Sequence, residues 1–215
     1  MPTLKYTICL SLVASIASFI PSALSVDAQT NQSQARTASG HSLLSTSQKE
    51  SLKSLGIKIA IPRYVPQGFR VVTIKTEPCR ASERADANGV CRFRPSYAVL
   101  YRNAQNHCFV VDAIGGGIGG PDGRYTRAVN TKILGMVDVN IDTSNGAMSE
   151  PITTAIANTP QKRLWTFPAG KAPFYAVGTL EGKANRISST ITCSTEAHMT
   201  PNEFTKIVQS LDWLP

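Results

Sequence analysis

His107-Cys108-Phe109-Val110-Val111-Asp112-Ala113-Ile114 runs directly into Gly115-Gly116-Gly117-Ile118-Gly119-Gly120-Pro121-Asp122-Gly123. The first stretch is nearly continuous in apolar and β-branched side chains and is closed by glycines, the pattern of a buried strand that empties into a wide loop. Just before it, Ser96-Tyr97-Ala98-Val99-Leu100-Tyr101-Arg102 alternates as a second strand. The polar link Asn103-Ala104-Gln105-Asn106 is short enough to make the two a hairpin.

Other strands follow outward from this pair. Toward the N-terminus, Pro62, Pro66 and Gly68 define a stiff approach and turn into a strand over 69–76, centred on Arg70-Val71-Val72-Thr73-Ile74-Lys75. Ahead of it, Ile57-Lys58-Ile59-Ala60-Ile61 alternates weakly until Pro62 interrupts it. Beyond the glycine loop, a strand is expected to start over 125–130. The 133–141 segment alternates with Val137, Val139 and Ile141 on one face. Asp142-Thr143-Ser144-Asn145-Gly146 is expected to break that strand. Residues 163–167 and 174–180 read as strands around a turn at 168–173, and 186–193 reads as the last strand. The 147–161 segment matches no template.

A helix brackets each end. Ser45 or Thr46 is placed to cap a helix reaching Leu55, with Leu52 and Leu55 inward, Glu50 and Lys53 in solvent, and Gly56 as the stop. Thr200-Pro201-Asn202-Glu203 opens the other as a capping box with proline at N1. Phe204, Ile207, Val208 and Leu211 follow as one apolar stripe, which Trp213 and Leu214 extend. Strands in succession with a helix at either end predict an α+β fold: a curved antiparallel sheet with a short N-terminal helix and a C-terminal helix packed on it. One domain over 45–215 is the expectation.

The chain has 215 residues, enough for a real core, and 42% of them are hydrophobic, so it is not a disordered protein as a whole. Lys5 is the only charge before Asp27, and an apolar run fills 6–20. Small residues at Val26-Asp27-Ala28 and Ala23-Leu24-Ser25 both fit a signal-peptidase site, so 1–28 reads as a signal peptide cleaved before Gln29. An uncleaved anchor is the other reading of that run. No later segment is long and apolar enough to span a bilayer. Residues 29–44 carry few large apolar side chains and read as a flexible linker. The expected location is periplasmic or secreted.

Cys9 leaves with the leader, and Cys79, Cys91, Cys108 and Cys193 remain. An even number in an exported chain predicts disulfides. Of the three pairings allowed, Cys79–Cys91 would staple the 77–95 loop, and Cys108–Cys193 would join two central strands. Cross-pairing would instead force that loop onto the core.

The Pro62, Pro66, Gly68 and Phe69 opening, together with a capped helix ending at Ser210-Leu211, resembles an uncharacterised class of extracytoplasmic bacterial domains, some of them found behind anti-sigma-factor regions. The resemblance implies a sensing or binding module in the envelope, with no catalytic residues to carry over.

Familiar chemistry is largely excluded. Gly115, Gly117 and Gly120 match G-x-G-x-x-G, but Pro121-Asp122-Gly123-Arg124 is turn chemistry rather than the start of a helix, so no dinucleotide site is expected. His41, His107 and His198 lack metal-ligand spacing, and the cysteines stand singly, so no metal or other cofactor is expected. A nucleophile built from Cys108 and His198 competes with oxidation of that thiol. No G-x-S-x-G elbow occurs. The best functional residues are the arginines Arg80, Arg84, Arg92 and Arg94 of the 77–95 loop, with Arg102, Arg124 and Arg127. In a chain of net charge +8 they point to an anionic glycan, lipid or protein partner in the envelope. Export and the lack of a recognition motif disfavour nucleic acid. The expectation is a non-enzymatic, disulfide-stabilised binding module. A secreted hydrolase with an unrecognised site and a purely structural interaction protein are the alternatives.

Overall fold

A computed structural model of the protein describes residues 43–116, 122–143, 148–167, 169 and 172–215. The expected signal peptide and most of the linker fall outside the described residues. Helix α1 spans Thr46–Lys53, and Ser45 caps it with a complete capping box through Gln48. Leu52 and Leu55 are buried as expected. After Gly56 (φ 71°) come β1 (Ala60–Pro62), β2 (Arg70–Glu77), β3 (Ser96–Arg102), β4 (Cys108–Ile114), β5 (Gly123–Thr131), β6 (Gly135–Thr143) and β7 (Glu150–Pro151). A single-turn helix α2 (Thr154–Ala157) precedes β8 (Leu164–Thr166), β9 (Phe174–Leu180), β10 (Gly182–Lys183) and β11 (Thr192–Cys193). Helix α3 (Pro201–Gln209) and β12 (Leu211–Trp213) end the chain.

The main sheet has eight strands in the order β2-β3-β4-β9-β8-β6-β5-β7. Its ladders are antiparallel except the last, where β7 joins β5 in parallel, so the sheet is mixed rather than wholly antiparallel. Strand alternation assigns its two faces. Tyr97, Val99, Tyr101, Phe109, Val111, Ala113, Val139, Ile141 and Val177 face the main core, together with Leu52 of α1 and Phe204, Ile207 and Val208 of α3. In the register partners Tyr101 and Phe109 the rings stack at 4.4 Å. Helix α1 lies on β2, and α3 lies on β5 and β6. The Thr200 hydroxyl accepts the Glu203 N–H, the forward half of the expected capping box.

The opposite face of β3 and β4 carries a second, smaller core. Leu100, Cys108, Ala184 and Cys193 are buried there, with Val72, Leu180, Ile187 and Ile191 around them. Strand β4 is thus covered on both sides at its Cys108 end, which is why Cys108-Phe109-Val110-Val111 reads as unbroken apolar residues. Cys108 and Cys193 are bonded, as are Cys79 and Cys91, with Cα atoms 5.7 and 6.0 Å apart. Two disulfides are compatible with an exported protein. No helix among the described residues is long and apolar enough to cross a membrane.

Four local expectations are corrected. Cys193 does not lie in a central strand neighbouring β4. It belongs to the two-stranded β10–β11 ribbon, which the disulfide fastens across the sheet. The strand expected over 186–193 shrinks to Thr192–Cys193, because Ile187 and Ser188 N–H groups turn back to the Ala184 carbonyl and the Ser188 and Thr190 hydroxyls bond each other. Leu211 does not continue the helical stripe: Ser210 ends the helix, and Leu211–Trp213 pairs antiparallel with β1, while Trp213 and Leu214 still pack against the main core. β6 runs into the 142–146 stretch expected to break it, through Thr143, with Asp142 at a positive φ of 51°; 144–146 lie outside the described residues.

Candidate functional site

The disulfide loop at 77–95 uses its own acids to hold its shape. The Asp86 carboxylate accepts from the N–H groups of Asn88 (2.8 Å) and Val90 (2.9 Å), and Glu83 accepts from the Arg80 N–H at 2.9 Å. Arg94 spans Glu77 and Glu83, each at 3.6 Å. Reciprocal backbone bonds between Cys91 and Arg94, both 2.6 Å, close a tight turn. The turn is seated on the first glycines after β4: a Cβ on Gly115 would sit 2.5 Å from the Arg94 carbonyl oxygen, and one on Gly116 would overlap the Arg92 carbonyl. Those glycines serve close backbone approach. The next described element after β4 is β5, and Gly117 and Gly120 of the G-x-G-x-x-G match lie outside the described residues.

With the loop's carboxylates so engaged, Arg80, Arg84 and Arg92 stay exposed, and among the described residues none has a carboxylate within 4.0 Å. Arg92 stacks on the exposed Phe93 ring at 5.0 Å. The other predicted arginines are placed elsewhere. Arg102 ends β3 at the far end from the loop and faces Arg70 across the ladder. Arg124 and Arg127 are on β5, five strands away in the sheet order. Arg124 covers Tyr125 at 5.2 Å, and Arg127 donates to Asn202 of α3 at 2.9 Å. Of the seven, four share one loop, and one of those four, Arg94, is an internal brace.

A residue not singled out in the sequence lies beside this loop. Asp112 sits in the middle of β4 on the face away from the main core, in the row Lys75–Ala98–Asp112–Ala176. Alanines on both flanking strands leave a depression over the carboxyl. The depression opens into a groove of about 450 Å³ lined by Lys75, Glu77, Ala98, Val110, Ile114, Leu180, Arg186 and Ile187, among others. The groove therefore combines a mostly apolar floor with a few charges at its wall and rim. Lys75 is spoken for: it pairs with Glu77 at 2.8 Å and donates to the Arg186 carbonyl at 2.8 Å. The bond from Lys75 holds the Glu77 carboxyl below its usual range, although Glu77's partial burial acts the other way. Burial pushes the Asp112 carboxyl up to about 6, with the Arg186 guanidinium pulling the other way. Asp112 is only half-buried by area, but sheet and ribbon surround it, so its hydration is poorer than its exposed area implies. The signal for it was a lone carboxylate within an apolar strand.

A second depression, about 360 Å³, lies among Lys58, Asn88, Ile133, Leu134, Tyr175 and Trp213. Tyr175 meets Trp213 edge-on at 5.3 Å, and its hydroxyl donates to the Lys58 carbonyl at 2.8 Å. Burial pushes that hydroxyl up to about 12.

No family model, curated protein or solved structure matches this chain.

Two sequence candidates for chemistry resolve into other roles. Cys108 is bonded to Cys193, so it offers no thiol to His198. His198 instead stacks on His107 with ring centres 4.5 Å apart. Burial, and then the neighbouring His198, hold His107 below the usual imidazole range, while Glu196 opposes them. Among the described residues, which exclude His41, no three His, Cys, Asp or Glu side chains converge as a metal site.

Proposed function

We propose that the protein is an exported, non-enzymatic binding module of the bacterial envelope, and that its Cys79–Cys91 loop meets an anionic envelope component. One observation carries this reading: the loop's acids are committed to its own backbone and to Arg94, which leaves Arg80, Arg84 and Arg92 exposed and unpaired on a covalently closed frame. Fixed, unneutralised cations beside an exposed aromatic ring attract polyanionic surfaces and keep little entropy to lose on binding. The net charge of +8 and the resemblance at both ends of the domain to uncharacterised extracytoplasmic bacterial domains, which implies a sensing or binding module, support the same reading.

The test compares the mature chain with the triple variant Arg80→Glu, Arg84→Glu, Arg92→Glu on native envelope fractions at low and high salt. The wild type is expected to be retained at low salt and released by high salt, and the variant to wash off. Equal retention of the two overturns the cationic-loop reading. The hydrolase alternative would find in the groove two carboxyls of unlike character, Asp112 pushed up and Glu77 held down.

A further inference from the structure

The groove over Asp112 carries an inference that does not depend on the arginine loop. Its charges fall into two kinds. Lys75 and Glu77 neutralise each other at 2.8 Å, and Arg94 adds a second contact to Glu77 at 3.6 Å. Asp112 and Arg186 are left over. Among the described residues neither has an ion pair within 4.0 Å, although both line the same groove.

Ala98, Val110, Ile114, Leu180 and Ile187 line the same groove and give it an apolar surface. A simple cation would gain Asp112 but meet Arg186. A simple anion would gain Arg186 but meet Asp112. A molecule bearing both charges on one end and an apolar group on the other satisfies every part of the lining.

The wall that supplies Arg186 and Ile187 is also built to stay in place. It belongs to the connection between β10 and β11, fastened to β4 by the Cys108–Cys193 bond and to β2 by the Lys75 bond to the Arg186 carbonyl. The floor is central sheet, where Ala98 and Ala176 flank Asp112 with side chains too short to fill the space. A volume of about 450 Å³ is within the range of small-molecule sites. Burial, which raises the Asp112 carboxyl to about 6, marks it as poorly hydrated in this groove.

We propose that this groove binds a small zwitterion with an apolar side chain, of the α-amino-acid or dipeptide kind, its ammonium on the Asp112 carboxylate and its carboxylate on the Arg186 guanidinium.

The test is titration calorimetry on the full mature chain with both disulfides intact, at pH 8, where Asp112 is ionised. L-leucine and L-leucyl-L-leucine are the two zwitterionic probes. Isoamylamine carries the ammonium alone, and isocaproate the carboxylate alone. Saturable binding of at least one zwitterion is expected, with the single-charge probes weaker by about tenfold or more, the loss for one charged hydrogen bond. Asp112→Asn and Arg186→Gln should each weaken the zwitterion by a similar factor. Arg186 is exposed, so its variant keeps the test valid even if Asp112→Asn perturbs the fold. Preference for leucine or for the dipeptide tells the two sources apart. The proposal is overturned if neither zwitterion saturates, if isoamylamine binds as well as leucine, or if Arg186→Gln leaves binding unchanged. The triple loop variant should bind the zwitterion normally, so failure of the loop reading and failure of this one are separable.

Discussion

Replacing Asp112 by asparagine should stabilise the fold at pH 8 and change it little at pH 4. The carboxyl, ordinarily at 3.8, is pushed up to about 6 in the folded chain. The folded state therefore keeps a proton that the unfolded state has already released. The stability tied to that proton is present in full below pH 3.8 and is lost as pH rises through about 6. At about 1.4 kcal/mol per pH unit, the ionised carboxyl lowers stability by about 2–3 kcal/mol at pH 8 and by about 0.5 kcal/mol at pH 4. Asparagine matches the shape of the protonated acid, and the open groove lets water reach its amide. Urea unfolding with the disulfides intact is the assay. With a slope of about 2 kcal/mol per molar, the midpoint of the variant should move up by about 1 M at pH 8. An equal shift at both pH values, or a loss of stability at pH 8, would refute the reasoning. In the first case the effect would be unrelated to ionisation; in the second, the carboxylate would be a net stabiliser. Destabilisation by a native residue at the centre of a sheet is what a binding group shows before its ligand arrives.

Three other perturbations address the frame around the groove and loop. The Tyr97 hydroxyl donates to the Ala60 carbonyl at 3.0 Å and accepts the Ala60 N–H at 2.8 Å, both buried, so Tyr97→Phe orphans two backbone groups. A loss of about 2–4 kcal/mol in urea unfolding is expected; a loss below about 0.5 kcal/mol would mean the ladder re-pairs without the hydroxyl. Gly115→Ala places a Cβ 2.5 Å from the Arg94 carbonyl oxygen, so the arginine loop must shift, at about 1–3 kcal/mol. Faster proteolysis within 79–94 should accompany it, and unchanged cleavage would argue against the seating of that loop on β4. Removing Cys79 and Cys91 together should lower stability by about 3 kcal/mol, and removing Cys108 and Cys193 by about 4–5 kcal/mol, since the second bond closes 85 residues rather than 12. Thermal unfolding of the two double-alanine variants tests the order; a reversed order would refute the chain-entropy account.

Several elements were legible because their causes are local. Ser45 and Thr200 announce helix starts through hydroxyls that meet N–H groups three residues on. Ser96–Arg102 and the stretch at Val137, Val139 and Ile141 betray strands by alternation, which needs only one buried face. The disulfide pairing followed from loop ends and strand positions, although the place of Cys193 was misread. The 186–193 segment has the β-branched content of a strand, yet its serine and threonine hydroxyls turn the backbone on itself. Local propensity cannot decide between those outcomes; a neighbouring strand does.

Residues 148–161 show the same limit from the other side. Glu150–Pro151 becomes a strand only because Tyr125 and Thr126 lie alongside. The arginine loop was visible as composition, but which of its charges are free depends on where Glu83, Asp86 and Arg94 point. Asp112 depends still more on tertiary structure. Its groove exists because β3 and β9, more than sixty residues apart in the chain, each place an alanine beside it. By itself the sequence determined the disulfide-linked α+β character of this chain and its helix ends, since caps, alternation and cysteine count act over a few residues. Strand order, the unpaired arginines and the site at Asp112 were decided by the folded structure, because each rests on contacts between segments that no local pattern relates.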